Sequence, residues 1–122
     1  MPRAVLEENH IHPAIRRTVA EHQQPIVQEV IAAVGAHPIV VVGMRLNPFP
    51  KKACKSLDLA MQKYTYLEYG HYASMWRERN ALKLWSGWPT FPMVFVRGVL
   101  VGGAEDVARL VASGELKTLL SK

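Results

Sequence analysis

The residues with chemistry to offer sit in a few short stretches. One thiol is present, in Ala53-Cys54-Lys55-Ser56. A single cysteine excludes an internal disulfide framework. Upstream, Asn47-Pro48-Phe49-Pro50-Lys51-Lys52 pairs a good N-cap residue with proline at the first helical position, so it opens a helix. The positive end of a helix attracts anions and can stabilise a thiolate. This tip carries Asn47 and Pro50, and no thiol. Further on, Arg79 offers a guanidinium, Trp88-Pro89-Thr90-Phe91-Pro92 a loop, and Gly102-Gly103-Ala104-Glu105 a second helix start with an acid beside it. His10 and His12 form a His-x-His pair. With no cysteine near them and no obvious further ligands, they read as solvated or capping histidines, and no metal is expected.

Elements must hold these groups in place. Ile39-Val40-Val41-Val42 is a short apolar, β-branched run, which suits a central strand buried on both faces. It feeds the helix from Pro48. There Phe49, Ala53, Cys54, Leu57, Ala60 and Met61 share one face, and Lys51, Lys52, Lys55, Asp58 and Gln62 the other. Cys54 therefore lies about 10 Å along the helix from Asn47, at about 1.5 Å per residue. It sits on the apolar side, where burial raises a thiol pKa and makes it inert.

Before this unit, His12-Pro13 opens a short helix with Ile11, Ile15 and Val19 at helical spacing. Pro25 starts a second helix, with Ile26, Val27, Val30, Ile31 and Val34 inward and Gly35 with Pro38 as its end. After it, Tyr64–Tyr69 reads as a strand parallel to the first. Tyr72–Lys83 reads as a helix with Met75, Trp76 and Leu82 in the core. Met93–Val96, Arg97-Gly98 and Val99–Val101 read as a hairpin. Val107, Leu110 and Val111 face inward from the next helix, and Leu116, Leu119 and Leu120 complete the core after Ser113-Gly114. The order α, β-α-β, α, β-β, α is the thioredoxin-like arrangement, an α/β fold whose four-stranded mixed sheet is flanked by helices.

The bulk numbers bound the function class. At 122 residues the chain suits one domain, and 49% hydrophobic content supplies a core. A net charge of +5 fits an anionic ligand, but nothing reads as a base-contacting motif, so no nucleic acid is expected. No apolar run approaches the ~20 residues of a membrane span. The N-terminus lacks the apolar core of a secretory signal, and a cytoplasmic location is the expectation.

Two stretches carry a family resemblance. Asn47-Pro48-Phe49-Pro50-Lys51-Lys52-Ala53 resembles the glutaredoxin active-site segment, Cys-Pro-Tyr/Phe-Cys followed by a basic, alanine-containing helix. The match runs without a gap into Tyr64-Thr65-Tyr66-Leu67-Glu68-Tyr69, with both cysteines replaced, by Asn47 and Pro50. Arg79-Asn80-Ala81-Leu82-Lys83-Leu84-Trp85-Ser86-Gly87-Trp88-Pro89-Thr90-Phe91-Pro92 resembles the matching segment of monothiol glutaredoxins, Arg-Gln-Gly-Leu-Lys and then Tyr-Ser-Asn-Trp-Pro-Thr-Tyr-Pro. Gly102-Gly103-Ala104-Glu105 resembles their Gly-Gly-Cys-Asp. The resemblance spans roughly residues 25 to 120. It divides the chain into an N-terminal extension, 1–24, and a glutaredoxin-like domain, 25–122.

The resemblance implies a glutathione cradle in the second half. Arg79 would hold the glycine carboxylate. Thr90 and Phe91 would pair their backbone with the cysteinyl part, next to a cis Pro92. Gly103, Ala104 and Glu105 would receive the γ-glutamyl end, with Glu105 on the ammonium. The family's lysine ahead of the nucleophile is matched by Met44 or by Arg45, according to the form aligned, and Arg45 could serve. Thiol–disulfide exchange requires an attacking thiolate, which neither Asn47 nor Pro50 supplies. The resemblance thus implies a protein that binds glutathione, or a glutathionylated or thiol partner, without turnover. A second alignment sets Cys54 against the cysteine of the monothiol Cys-Gly-Phe-Ser. It would make Cys54 the nucleophile of an active monothiol oxidoreductase or a ligand of an iron–sulfur cluster, at the cost of an insertion and a shortened helix. A third reading is an interaction module, docking a protein through an aromatic face of Phe49, Trp85, Trp88 and Phe91. The arm from Met1 to Gln24 would pack on the domain or, in a homodimer, on a second subunit.

Overall fold

The computed structural model describes residues 3–22, 24–70 and 74–121. Its centre is β1, Ile39–Gly43, every residue of which is buried. Strand β2, Thr65–Glu68, runs parallel to it, with Val40 opposite Thr65. On the other side β3, Met93–Val96, runs antiparallel, with Val40 opposite Phe95. Strand β4, Val99–Gly102, closes the sheet in the order β2-β1-β3-β4. Arg97 and Gly98 both have positive φ, 51° and 82°, the conformation a two-residue hairpin of matching twist demands.

Side-chain alternation along β1 and β3 divides the core in two. Val40, Val42, Met93 and Phe95 face α2 (Gln24–Ala36) and α4 (Trp76–Ser86), meeting Ile26, Val27, Val30 and Leu82. Ile39, Val41, Val94 and Val96 face α3 (Pro48–Leu59), α5 (Ala104–Ser113) and α6 (Glu115–Leu120). Their partners are Ala53, Leu57, Val107 and Leu116. This is the mixed four-stranded sheet of the thioredoxin-like fold. The N-terminal α1, Pro13–Glu21, has no buried residue. His12 caps it, Nδ1 accepting the Ala14 N–H at 3.1 Å. Among the described residues, no helix is long and apolar enough to cross a membrane.

Several expected details differ. Helix α4 starts at Trp76, and the expected start at Tyr72 lies outside the described residues. Met75 has a left-handed backbone (φ 54°) at the N-cap, so it and Trp76 are exposed, and Leu82 alone of that trio is core. Met61 also adopts positive φ beyond the end of α3, which turns it out to solvent. Ile31 sits at the edge of the α2 face and is exposed.

Candidate functional site

Three loops meet beside the C-terminal end of β1: the start of α3, the loop before β3 and the start of α5. Between them runs a groove of about 280 Å³ lined by Phe49, Trp88, Thr90, Phe91, Pro92, Ala104, Glu105 and Asp106. The Phe91–Pro92 peptide bond is cis, as the resemblance implied.

Each wall has a local cause. Asn47 caps α3, its Oδ1 accepting the Phe49 N–H at 3.0 Å. Its Nδ2 also donates to the Phe91 carbonyl at 3.4 Å, which fastens the helix start to the cis-proline loop. Pro50 is fully buried against the end of β1: a Cβ on Gly43 would stand only 2.7 Å from Pro50 Cβ. Phe49 is left half-exposed, with Lys52 Nζ above its ring at 4.9 Å. On the opposite wall Asp106 Oδ2 accepts the Gly103 N–H at 2.9 Å, and Oδ1 pairs with Arg109 at 2.6 Å. The Gly103 N–H, with Arg109 behind it, holds this carboxyl below its ordinary value, so it stays ionised. Glu105 is exposed at the same helix start. Trp88 packs its indole beside Gly103, with Nε1 buried and without a hydrogen-bond partner.

The structure thus brings Thr90, Phe91, Pro92, Ala104 and Glu105 together. Arg79 is not among them. It is 6% exposed, and its Nη1 donates to the carbonyl of Tyr69 at 3.2 Å and to that of Ser74. Nη1 of the guanidinium thus ties Tyr69 to Ser74, and Arg79 lies outside the groove lining. Gly103 borders the groove, but its N–H is engaged by Asp106. Arg45 is exposed on the turn before α3 and its backbone N–H donates to Gly70 at 2.6 Å, outside the groove lining.

Cys54 lies on the far side of α3, partly buried against the core layer that contains Ala53 and Leu57. Burial pushes its thiol up from the ordinary value. A hydrogen bond with Tyr64 opposes this, and the charge of Asp58 adds to it. Of the expected aromatic face, Phe49, Trp88 and Phe91 line the groove together and Trp85 does not. Phe91 is buried, Trp85 and Trp88 pack on the core, and only Phe49 of the four is exposed.

Three groove residues lie outside the expected glutathione cradle: Phe49 and Trp88, which were expected only in an aromatic docking face, and Asp106, for which no ligand role was expected. A carboxylate three residues after a helix-capping glycine is positioned to reach back to the cap N–H.

No family model matches the chain. It is 37% identical over 108 residues to a glutaredoxin-like protein of Dictyostelium discoideum, a match covering 88% of each chain. Among solved structures it resembles oxidized glutaredoxin 2 from Chlamydomonas reinhardtii, at 28% identity and a TM-score of 0.70, over 81% of this chain and 94% of that one. A buckwheat glutaredoxin–glutathione complex has the same fold, at 23% identity and a TM-score of 0.69, over 83% and 92% of the two chains. On the extent of the match to the Dictyostelium protein, and with the fold shared, the chain belongs to the glutaredoxin family.

Proposed function

We propose that this protein binds glutathione, or the glutathionyl group of a modified protein, and does not turn it over. The observation that carries the reading is the groove, in which the cis-proline loop and the start of α5 face each other across Phe49. A related fold, the buckwheat glutaredoxin, has been solved with glutathione.

The chemistry of the two partners matches. Glutathione has two carboxylates and one ammonium. The first turn of α5 supplies the N–H groups of Ala104 and Glu105 to the γ-glutamyl carboxylate, and the Glu105 carboxylate pairs with the ammonium. The backbone of Thr90 and Phe91 takes the cysteinyl part. Nη1 of Arg79 is held by Tyr69 and Ser74, so the exposed Arg45 before α3, itself outside the groove lining, is the second candidate for the glycine carboxylate. Redox turnover requires a thiolate at the tip of α3, where the gapless alignment sets Asn47 and Pro50. The competing reading, Cys54 as nucleophile, has less support: burial raises its thiol and the groove lining does not include it.

Calorimetric titration of the full chain with reduced and oxidised glutathione tests this. The wild type should bind saturably, and Glu105→Gln should weaken binding about 5- to 20-fold, the worth of one charge-assisted contact. A folded wild type that gives no binding removes the proposal. Glutathione-dependent reductase activity abolished by Cys54→Ser would replace it with the monothiol enzyme.

A further inference from the structure

The arm and the domain enclose a second hollow, which shares no lining residue with the groove. Its volume is about 680 Å³, inside the ~300–1,000 Å³ range of small-molecule sites. Its floor reaches the core: Val27 and Ala81 are buried, and Trp85 packs on Phe95 with ring centroids 5.8 Å apart. Its walls are Val5, Leu6, Ile15 and Val19 from the arm and Leu84 from α4, all 51–73% exposed. Apolar side chains from two separate segments thus converge on a space that none of them fills.

The arm keeps its shape through its own local bonds. The Ile11 N–H donates to the Glu8 carbonyl at 3.0 Å and closes the turn Glu8–His10. His12 caps α1, and Arg16 Nε reaches back to the Ile11 carbonyl at 2.8 Å. Neither the turn nor α1 buries a residue. This wall stands without packing into the hollow, so the space is open to a ligand.

The polar groups of the lining define the ligand's head. They are His10, His12, His22 and Gln24. The three histidines are exposed, which places them at the mouth. His12 Nδ1 accepts the Ala14 N–H, so its neutral ring carries the proton on Nε2 and donates there. Gln24 Oε1 accepts from Gln28 at 3.3 Å, which leaves its amide N–H groups as donors. Among the described residues no Asp or Glu lines the hollow, and no three ligating side chains converge on a metal position. Donors without an acid complement an anionic head on an apolar chain. A second copy of the chain fits less well. In a two-fold contact the same imidazoles would meet with no acid between them, and each copy carries a net charge of +5.

We infer that this hollow binds a free single-chain carboxylate, with its chain over Val27, Ala81 and Leu84 and its head at the imidazoles. The inference does not depend on the glutathione reading.

The full chain is titrated calorimetrically at pH 7 with octanoate, decanoate and dodecanoate, and with decanol. Binding should be saturable and one-to-one. Each two-carbon step should tighten it at least threefold, and up to about 15-fold where both CH₂ groups are fully buried. Decanoate should bind at least fivefold tighter than decanol. That preference should vanish when His10→Ala, His12→Asn and His22→Ala are combined, since Asn retains the helix cap. Leu84→Glu, at an exposed position, should weaken decanoate at least tenfold with an unchanged thermal melt; Val19→Glu serves the same purpose on the arm if that variant does not fold. No saturable binding at any length, affinity independent of length, no preference over decanol, a preference that survives the combined histidine changes, or full binding by the folded Glu variants each overturns the inference. So does a dimer in sedimentation, or capture by anionic phospholipid vesicles, when the free carboxylates give no binding.

Discussion

Arg79 illustrates how a side chain's role depends on what surrounds its head group. Its guanidinium is buried and satisfied by the carbonyls of Tyr69 and Ser74. Removing it takes a donor from the Tyr69 and Ser74 carbonyls, and each such loss costs about 1–3 kcal/mol. Arg79→Ala should therefore destabilise the chain by about 2–4 kcal/mol, read as a lower urea midpoint, while Arg79→Lys recovers part, since its ammonium has donors for both carbonyls but is more strongly hydrated and costs more to bury. Weaker glutathione binding with unchanged stability would return Arg79 to the ligand. The motif made the residue legible in the sequence. It could not show where the head group goes, because the two carbonyls belong to a loop whose path is fixed by tertiary structure. Asn47 divides the same way: its capping bond to Phe49 is local and legible, whereas its bond to Phe91 crosses from the other half of the chain.

Among the elements, those with strong patterning were legible and those with weak patterning were not. The buried run of β1, the hairpin around Arg97-Gly98 and the α5 face each follow from period and turn chemistry. The start of α4 does not, because Met75 and Trp76 carry apolar side chains on an exposed turn and mimic a core face. The join between β4 and α5 depends on Gly102, whose φ is 119° and whose added Cβ would stand 2.3 Å from Asp106 Oδ2. Gly102→Ala should cost about 2–4 kcal/mol, through backbone strain of about 1–3 kcal/mol and displacement of the Asp106 cap. A thermal melt indistinguishable from wild type would show that the cap can move aside. The layer between β2 and α3 predicts a pH dependence. Burial, then the charges of Glu68 and Cys54, push the Tyr66 hydroxyl up to about 12, and burial pushes the Cys54 thiol up as well. The folded chain thus holds these protons to higher pH than the unfolded chain. Stability is full below the unfolded values and declines as pH rises through the ordinary thiol and phenol ranges toward about 12. Denaturant titrations from pH 8 to 11 should show this decline, and Tyr66→Phe should make it shallower above pH 10, with Tyr64 and Tyr69, raised as well, supplying the rest.

At the scale of the whole molecule the question is what the N-terminal arm contributes. Both core layers are complete without it: one is built on α2 and α4, the other on α3, α5 and α6. Helix α1 buries no residue, and Ile15 and Val19 stay half-exposed on its apolar side. The arm nonetheless touches the domain. Val5, Leu6, Ile11 and Ile15 line a hollow with Val27, Leu84 and Trp85, and the Arg3 guanidinium fills the space beside Gly87, next to the loop that begins at Trp88. Contacts of this half-exposed kind return only a fraction of the ~25 cal/mol per Å² that full apolar burial gives, and ordering the arm opposes them. A chain starting at Gln24 should therefore fold cooperatively, lose less than about 2 kcal/mol in denaturant unfolding, and keep the wild-type affinity for glutathione, since no groove residue comes from the arm. A large loss of stability would make the arm part of the core. An unchanged fold with altered glutathione affinity would mean instead that the Arg3–Gly87 contact reaches the groove through Trp88 and sets the position of the cis-proline loop.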